Sequence, residues 1–355
     1  MIMFPEMPGV DVNVVSLVFI ALGAGVVSGF TGVGGAFFVT PALISLNFPA
    51  RLAVGTAFTW VAGNTIIAMI AHRKLGNVDM KLGVILSMSA MGGIEAGVRI
   101  LNWISNIGFS NELVLSIYIC VLFIVGTYTL RETLARRKEI GDMLAEKSES
   151  PPVMRAASIS QRFAIINIAP RLHFAKSQIS ESLWIILAIG FFIGLLSGLI
   201  GASGGFLMVP ALTYLVGIPS LMAAGTNLFQ VTFSASYGAA RHFMSGNVVI
   251  FVSLIMIAAS GVGVQLGVLA TRYIRGVAAR FILAILILIV GIGSIIKLID
   301  TLADKSVIGF DIASIWVILS GMGLAVALIL ALYVMAVRYR RGRHIPDWVK
   351  PLVAK

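Results

Sequence analysis

The sequence is a series of apolar stretches separated by short polar ones. The apolar segments cover residues 12–30, 36–48, 52–72, 81–101, 112–130, 182–200, 206–216, 221–241, 247–270, 279–298 and 312–337. Most of them are about 20 residues long, which is the length of α-helix that crosses a hydrocarbon layer about 30 Å thick. The pattern predicts an all-α polytopic membrane protein.

Two of the segments, 36–48 and 206–216, are too short to span a bilayer comfortably. They either cross the membrane as short helices or form the half-helices of re-entrant hairpins, and the sequence leaves both options open.

The longest polar stretch, residues 131–180, is rich in Lys and Arg and contains Pro151, Pro152 and Pro170. We interpret it as a basic cytoplasmic linker, although its charge could also bind anionic lipid or a partner. It divides the chain into a first membrane repeat at 1–130, the linker at 131–180, a second membrane repeat at 181–300, and an extra transmembrane helix with a basic tail at 301–355.

The basic clusters predict the orientation, because Lys and Arg are enriched in cytoplasmic loops. With the linker inside and five segments before it, the N-terminus lies outside and the C-terminus is cytoplasmic. Arg73 and Lys74 then fall inside, as does the tail that contains Arg338 and Arg340. We therefore predict a multi-pass protein of the cell inner membrane.

The composition agrees with a membrane protein and narrows its partners. The chain is 59% hydrophobic and 12% charged, whereas soluble domains carry about 25% charged residues. Its net charge of +11 lies in clusters between apolar runs, so we predict no nucleic-acid partner. The expected partners are a small anionic substrate, membrane lipid and, as an open option, a second copy of the chain in a homodimer.

The two halves of the chain are repeats of each other. Residues 28–43 read SGFTGVGGAFFVTPAL and residues 197–212 read SGLIGASGGFLMVPAL, at a constant offset of 169. After one inserted residue the offset becomes 170, as in the pairs His72 with His242 and Glu95 with Gln265. Each repeat has five segments, an odd number, so we predict an inverted repeat related by a pseudo-two-fold axis in the membrane plane.

The doubled S-G-x-x-G-x-x-G motif, followed by V-x-P-A-L or its near copy, resembles the TauE/SafE family of membrane transporters. The resemblance covers about residues 12 to 300. It implies a transporter of sulfite, sulfoacetate or another organosulfur anion, usually an exporter.

Each motif is rich in glycine, which disfavours helix by about 1 kcal/mol relative to alanine. We expect broken helices there, with a short helix starting near Ala36 and another near Phe206. Their N-terminal N–H groups would favour an anion at the centre of the membrane. The alternative is that the small residues serve only close helix packing.

The candidate substrate-binding residues are those near the two breaks. They are Ser28, Thr31, Gly34, Gly35, Thr56 and Asn64 in the first half, and Ser197, Ser203, Gly204, Gly205, Thr226, Asn227 and Gln230 in the second. Hydroxyl groups in membrane helices often bond only to their own backbone, which is the competing interpretation of each.

Glu95 is the carboxylate well inside an apolar segment, and Gln265 occupies the equivalent position in the second half. Burial could let Glu95 bind and release a proton during coupling. Alternatively it pairs with Arg99 four residues later, and such a pair could serve as a structural contact or a gate.

These features together predict a secondary transporter that works by alternating access and is driven by an ion gradient. The sequence has neither a G-x-x-x-x-G-K-[ST] phosphate loop nor a recognisable catalytic, metal or cofactor motif, so we predict neither an enzyme nor a cofactor. An anion channel and an importer of a small carboxylate without sulfur are the alternatives.

Overall fold

The structure, a computed structural model, describes residues 2–3, 11–107, 110–146, 169–201, 204–274, 276–302, 310–341, 346 and 349. In this part of the chain there are eleven α-helices. They are α1 (Val14–Thr31), α2 (Ala36–Ser45), α3 (Ala50–Lys74), α4 (Met80–Ile107), α5 (Ser110–Glu146), α6 (Leu183–Ile200), α7 (Gly205–Tyr214), α8 (Ser220–Met244), α9 (Ile250–Thr271), α10 (Gly276–Leu302) and α11 (Phe310–Arg340). Two antiparallel strand pairs accompany them: β1 (Ile2–Met3) with β2 (Asp11–Val12), and β3 (Arg171–Phe174) with β4 (Ile179–Ser182).

The helices confirm the prediction of an all-α polytopic membrane protein. Eight of the described helices are long and apolar enough to cross a membrane. Helix α8 is as long as α3, at 25 residues, but it is not among these eight, and its sequence includes Thr226, Asn227 and Gln230. Helix α5 continues to Glu146, into the stretch that the sequence suggested as linker.

The two short apolar segments are half-helices in length. Helices α2 and α7 have 10 residues each, so each is about 15 Å long, half the thickness of a hydrocarbon layer. Helix α2 follows α1 after a four-residue break at 32–35, and α7 follows α6 after a break at 201–204. We call these the first break and the second break.

The helices pack in pairs that follow the repeat. Helix α1 packs along α9, and α4 packs along α6. These two pairs are equivalent under the repeat, because α6 corresponds to α1 and α9 corresponds to α4. Helices α3 and α8, which are equivalent to each other, pack together, and so do α5 and α10. Helix α11 lies outside the repeat and packs mainly on α10.

Glycines bring the backbones of the α1–α9 and α4–α6 pairs into contact. A Cβ atom on Gly25 of α1 would lie 2.5 Å from the backbone oxygen of Ser260 in α9. The equivalent Gly194 of α6 meets the backbone of Ala90 in α4. In lipid, where hydrophobic burial does not drive helices together, such close packing of small residues stabilises helix pairs.

The end of the 131–180 stretch forms a hairpin, β3–β4, which docks on the start of α4. Asp79 Oδ2 accepts hydrogen bonds from the Ser177 backbone N, at 3.2 Å, and from Ser177 Oγ, at 2.7 Å. Lys81 Nζ donates to the His173 carbonyl at 3.1 Å and lies over the ring of the buried Phe174. The hairpin is therefore a packed element attached to the first half.

The packing predicts different effects at two adjacent glycines of α4. A Cβ on Gly93 would overlap the backbone of α6 at Phe191, whereas a Cβ on the exposed Gly92 would meet only the Phe191 ring, at 3.9 Å. Gly93→Ala should therefore destabilise the protein by roughly 1–3 kcal/mol, because it pushes the two helices apart. Thermal unfolding of the purified protein in detergent measures the effect as a lower Tm.

Gly92→Ala is the matched control. Alanine is favoured over glycine in a helix by about 0.5–1 kcal/mol, so this variant should unfold at the same temperature as the wild type or slightly higher. Equal Tm values for the two variants would contradict the α4–α6 contact.

Candidate functional site

Both breaks are made by residues in the left-handed backbone conformation, which glycine adopts without strain. Helix α1 ends at the C-cap Gly32 (φ 72°), and α2 begins after the N-cap Gly35 (φ 79°). In the second half, Gly201 (φ 70°) and Gly204 (φ 66°) have the same roles. Neither N-cap has a side chain to occupy the first N–H groups of α2 or α7, so these groups face the breaks.

The two breaks meet in the protein interior. A Cβ on Gly205, at the start of α7, would overlap the carbonyl oxygen of Val33 in the first break. Next to this contact, the buried rings of Phe37 and Phe206 lie 5.6 Å apart between centroids. The positive ends of α2 and α7 therefore begin on either side of one buried centre.

Each break is capped by a side chain from the other half. Asn227 Nδ2 of α8 donates to the Gly32 carbonyl at 2.8 Å, and Thr40 Oγ1 of α2 donates to the Gly201 carbonyl at 3.2 Å. Asn227 and Thr40 are not equivalent under the repeat. Both bonds satisfy carbonyl groups at helix ends, which lipid could not do.

The structure buries every predicted substrate-binding residue that it describes. These are Ser28, Thr31, Gly34, Gly35, Thr56, Asn64, Ser197, Gly204, Gly205, Thr226, Asn227 and Gln230. Ser203 lies outside the described residues. The side chains are therefore placed in the interior of the helix bundle.

Three of the predicted hydroxyl groups bond to backbone. Thr31 Oγ1 donates to the Val27 carbonyl of its own helix at 2.8 Å, as the competing interpretation suggested. Thr56 Oγ1 accepts from the Val249 backbone N at 3.1 Å, and Thr226 Oγ1 accepts from the Asp79 backbone N at 2.9 Å. The last two bonds are equivalent under the repeat. The first holds the start of α9 against α3, and the second holds the start of α4 against α8.

Other polar atoms at the centre have no partner in the described structure. They are Ser197 Oγ, Asn64 Oδ1, Asn227 Oδ1 and Gln230 Oε1. Asn64 Nδ2 donates to Ser28 Oγ at 2.9 Å, and Gln230 Nε2 donates to Ser234 Oγ at 2.8 Å. A buried polar atom without a partner costs about 1–3 kcal/mol. Of these four atoms, Ser197 Oγ can donate a hydrogen bond to an anion, whereas the three amide oxygens only accept.

Trp60 is a residue at the centre that sequence reasoning missed. It is fully buried, and its indole Nε1 donates to the Met256 carbonyl at 3.2 Å and to Ser260 Oγ at 3.1 Å. A Cβ on Gly35 would lie 3.1 Å from the ring atom Cη2, so the ring packs against the first break. The offset of 170 aligns Trp60 with Gln230. This difference between the halves is the feature of the sequence that could have pointed to Trp60.

Glu95 lies in a cluster of charges on the outside of the α4–α8 pair. Its Oε1 accepts from Arg99 Nε at 2.7 Å, and its Oε2 accepts from Arg241 Nε at 2.5 Å and from the Tyr237 hydroxyl at 2.8 Å. The Glu95 side chain is 23% exposed. The predicted pair with Arg99 is present, but Arg241 and Tyr237 come from another helix, and their contact with Glu95 could not be seen from spacing.

The Glu95 cluster has no polar counterpart in the second half. The equivalents of Arg99, Tyr237 and Arg241 are Leu269, Ile67 and Ala71, as the offset of 170 gives them. Gln265, the equivalent of Glu95, is exposed on α9. The ion pairs therefore join α4 to α8, while the corresponding α9–α3 contact depends on packing.

A bundle of apolar helices around two half-helices whose N-termini meet at a buried polar centre is the architecture of a membrane transporter. The chain belongs to the TauE/SafE sulfite exporter family, whose model, described as "Sulfite exporter TauE/SafE", matches residues 17–294. The match includes both breaks and every predicted site residue.

The similar curated proteins are described as transporters. The chain is 27% identical to "Probable membrane transporter protein YunE" of Bacillus subtilis (strain 168) over 267 residues, which cover 73% of this chain and 88% of that protein. It is 26% identical to a "Probable membrane transporter protein" of Xylella fastidiosa (strain 9a5c) over 222 residues, 60% of this chain and 69% of the relative. No solved structure matches the chain.

The charge cluster predicts that Arg241 stabilises the fold more than Arg99 does. Arg241 is 26% exposed and connects two helices, whereas Arg99 is 75% exposed and lies on the same helix as Glu95. Exposed ion pairs contribute about 0.2–1 kcal/mol, and hydrogen bonds to charged groups contribute about 1.5–3 kcal/mol when water is excluded. Allowing for partial screening, Arg241→Gln should cost about 1–2 kcal/mol, and Arg99→Gln less than about 0.5 kcal/mol.

Thermal unfolding in detergent at low and high salt measures both effects. The loss for Arg241→Gln should shrink as salt rises, because screening weakens the wild-type pair. A larger loss for Arg99→Gln than for Arg241→Gln would show that the α4–α8 connection does not depend on this cluster.

Proposed function

We propose that this chain is a secondary transporter that exports a small sulfur-containing anion, such as sulfite, thiosulfate or an organosulfonate, across the inner membrane. It works by alternating access around the centre where the two breaks meet. The observation that carries the proposal is the convergence of the α2 and α7 N-termini beside the unpartnered hydroxyl of Ser197.

Helix N-termini favour an anion because their N–H groups point at the ligand and the helix dipole is positive there. A sulfonate or sulfite group presents several oxygens that accept hydrogen bonds from such groups and from the Ser197 hydroxyl. A buried Lys or Arg is not required for this binding. The sulfur-containing substrate and the direction of transport are suggested by the family description.

The paired contacts of the repeat support alternating access. Equivalent glycines make equivalent contacts in the α1–α9 and α4–α6 pairs, so an exchange of conformation between the halves would produce a related state that opens to the opposite side. Five helices in each repeat make the two halves inverted in the membrane. The N-terminus is then outside and the C-terminus, with Arg338 and Arg340, is cytoplasmic.

An ion gradient rather than catalysis or ATP hydrolysis supplies the energy for transport. We assign Glu95 to holding α4 against α8, because its carboxylate is bonded to Arg99, Arg241 and Tyr237. A carboxylate stabilised by two guanidinium groups is a poor carrier of a coupling proton, since releasing those bonds costs energy in each cycle. The same contacts could open and close as a gate between the helices.

Reconstitution into proteoliposomes tests the function. Uptake of labelled sulfite, thiosulfate, sulfoacetate and acetate is measured with and without a proton or sodium gradient. We expect saturable transport of a sulfur-containing anion, stimulation by one of the gradients, and exchange against unlabelled substrate. Preference for acetate would exclude the sulfur assignment, and large currents without saturation or exchange would indicate a channel.

The Glu95 assignment predicts that Glu95→Gln leaves the dependence of transport on the gradient unchanged. The variant should lower Tm, because a neutral amide pairs less strongly with Arg99 and Arg241. Transport is compared across a series of imposed pH gradients. Loss of gradient stimulation in a stably folded Glu95→Gln protein would make Glu95 part of the coupling machinery.

A further inference from the structure

We propose that the two breaks are not equivalent in use: the second break binds the anion, through the N-terminus of α7 with Ser197 and Gln230, while the first break is a structural element sealed by Trp60. This inference rests on the proposed function and specifies which part of the central site contacts the substrate.

An aromatic ring packs against the first break. The Trp60 ring packs against Gly35, the N-cap of α2, and its indole nitrogen is bonded to α9. The Ser28 hydroxyl, which lies beside Gly35, is bonded to Asn64. Asn64 Oδ1 has no partner, but the Ser28 hydroxyl beside the start of α2 already has one.

The second break has a different set of side chains at the same positions. Gln230 replaces Trp60, and Ser234 replaces Asn64, so the equivalent of the Ser28–Asn64 bond is not made. Instead, Ser234 bonds Gln230, and the hydroxyl of Ser197, which is 1% exposed, has no partner.

Ser197 lies at the start of α7. A Cβ on Gly204, the N-cap of this ten-residue helix, would lie 3.5 Å from Ser197 Oγ. The hydroxyl and the first N–H groups of α7 can therefore donate to the same oxyanion. Ile193, which replaces Ala24 of the first half, packs on Gly204 and gives this side of the break an apolar wall.

We assign Gln230 to the same site because it is aligned with Trp60, which packs on the first break, and because it can present either end of its amide. Ser234 Oγ can accept a hydrogen bond or donate one, so rotation of the Gln230 amide would keep that bond and turn Nε2 toward an anion. Asn227 cannot rotate in this way, since its partner, the Gly32 carbonyl, only accepts. We therefore regard Asn227 as a positioning residue that holds the first break against α7.

The repeat supplies a matched comparison, Ser197→Ala against Ser28→Ala. Loss of the Ser197 hydroxyl removes a donor to the substrate and should raise KM about tenfold, which corresponds to about 1.4 kcal/mol. Ser28→Ala should lower Tm, because Asn64 loses its partner, and should change KM less than twofold. Ser320→Ala, on the exposed surface of α11, is the control for the substitution itself.

Equal changes in KM for Ser197→Ala and Ser28→Ala, or a larger change for Ser28→Ala, would overturn the proposal. Gln230→Leu is a second variant of the same break and should also raise KM, with Tm measured for each protein. An unchanged KM in a folded Gln230→Leu protein would remove Gln230 from the site.

Thiol labelling tests the asymmetry without relying on transport. Ser197→Cys and Ser28→Cys are made separately in a Cys120→Ser background, which removes the exposed native thiol. A small anionic methanethiosulfonate reagent should label the thiol at position 197 at least ten times faster than the thiol at position 28. Sulfoacetate should slow that labelling, and acetate should not.

Equal labelling rates, faster labelling at position 28, or no labelling at either position would overturn the asymmetric site. The two proposals fail separately. If only acetate is transported, and only acetate protects position 197, the sulfur assignment is wrong while the second break remains the binding site. If sulfur-containing anions are transported but positions 28 and 197 behave alike, only the asymmetry is wrong.

Discussion

The structure depends on one constraint, which is that helix ends inside a membrane must find their hydrogen-bond partners within the protein. Lipid offers no partner to the carbonyl at the end of α1 or α6, and an unsatisfied polar group there costs several kcal/mol. Asn227 bonds the Gly32 carbonyl and Thr40 bonds the Gly201 carbonyl, each across the boundary between the halves. Neither half could bury its own break in this way by itself. The breaks are therefore stable only when both halves are folded together, and this couples the formation of the central site to the formation of the whole bundle.

The repeat is close to symmetric in its backbone contacts and asymmetric in its polar chemistry. The glycine contacts occur in equivalent pairs, and so do the bonds that Thr56 and Thr226 accept from backbone N–H groups. The Glu95 cluster and the docked hairpin have no equivalents at the positions related by the repeat: Asp79, which holds the hairpin, is aligned with Val249. A perfectly symmetric transporter would have inward-facing and outward-facing states of equal free energy. Each polar contact that lacks a repeat-related equivalent shifts that balance toward the state that preserves it.

Much of the fold could be predicted from the sequence, because membrane helices are encoded by local hydropathy and glycine breaks by local composition. The half-helices begin at Ala36 and Gly205, within one residue of the expected starts. What could not be predicted are the contacts between distant segments. The partnership of Arg241 with Glu95, 146 residues apart, leaves no trace in spacing. The assignment of Thr56 and Thr226 to the substrate overlooked the backbone N–H groups that these hydroxyls accept from. The β3–β4 hairpin lies in the stretch that was predicted to be a basic linker, and nothing in its charge pattern indicated strands.

The glycine contacts also determine which parts of the molecule are rigid. Gly25 and Gly29 join α1 to α9, a helix from the other repeat, and Gly194 and Gly198 join α6 to α4 in the same way. Because backbone contacts backbone at these glycines, no side chain lies between the two helices that could change rotamer and let them slide. Each pair should move as one body that carries a break from one repeat and a supporting helix from the other. The rigid bodies of this protein are therefore not its two sequence repeats. Each rigid body combines a helix from the first repeat with a helix from the second.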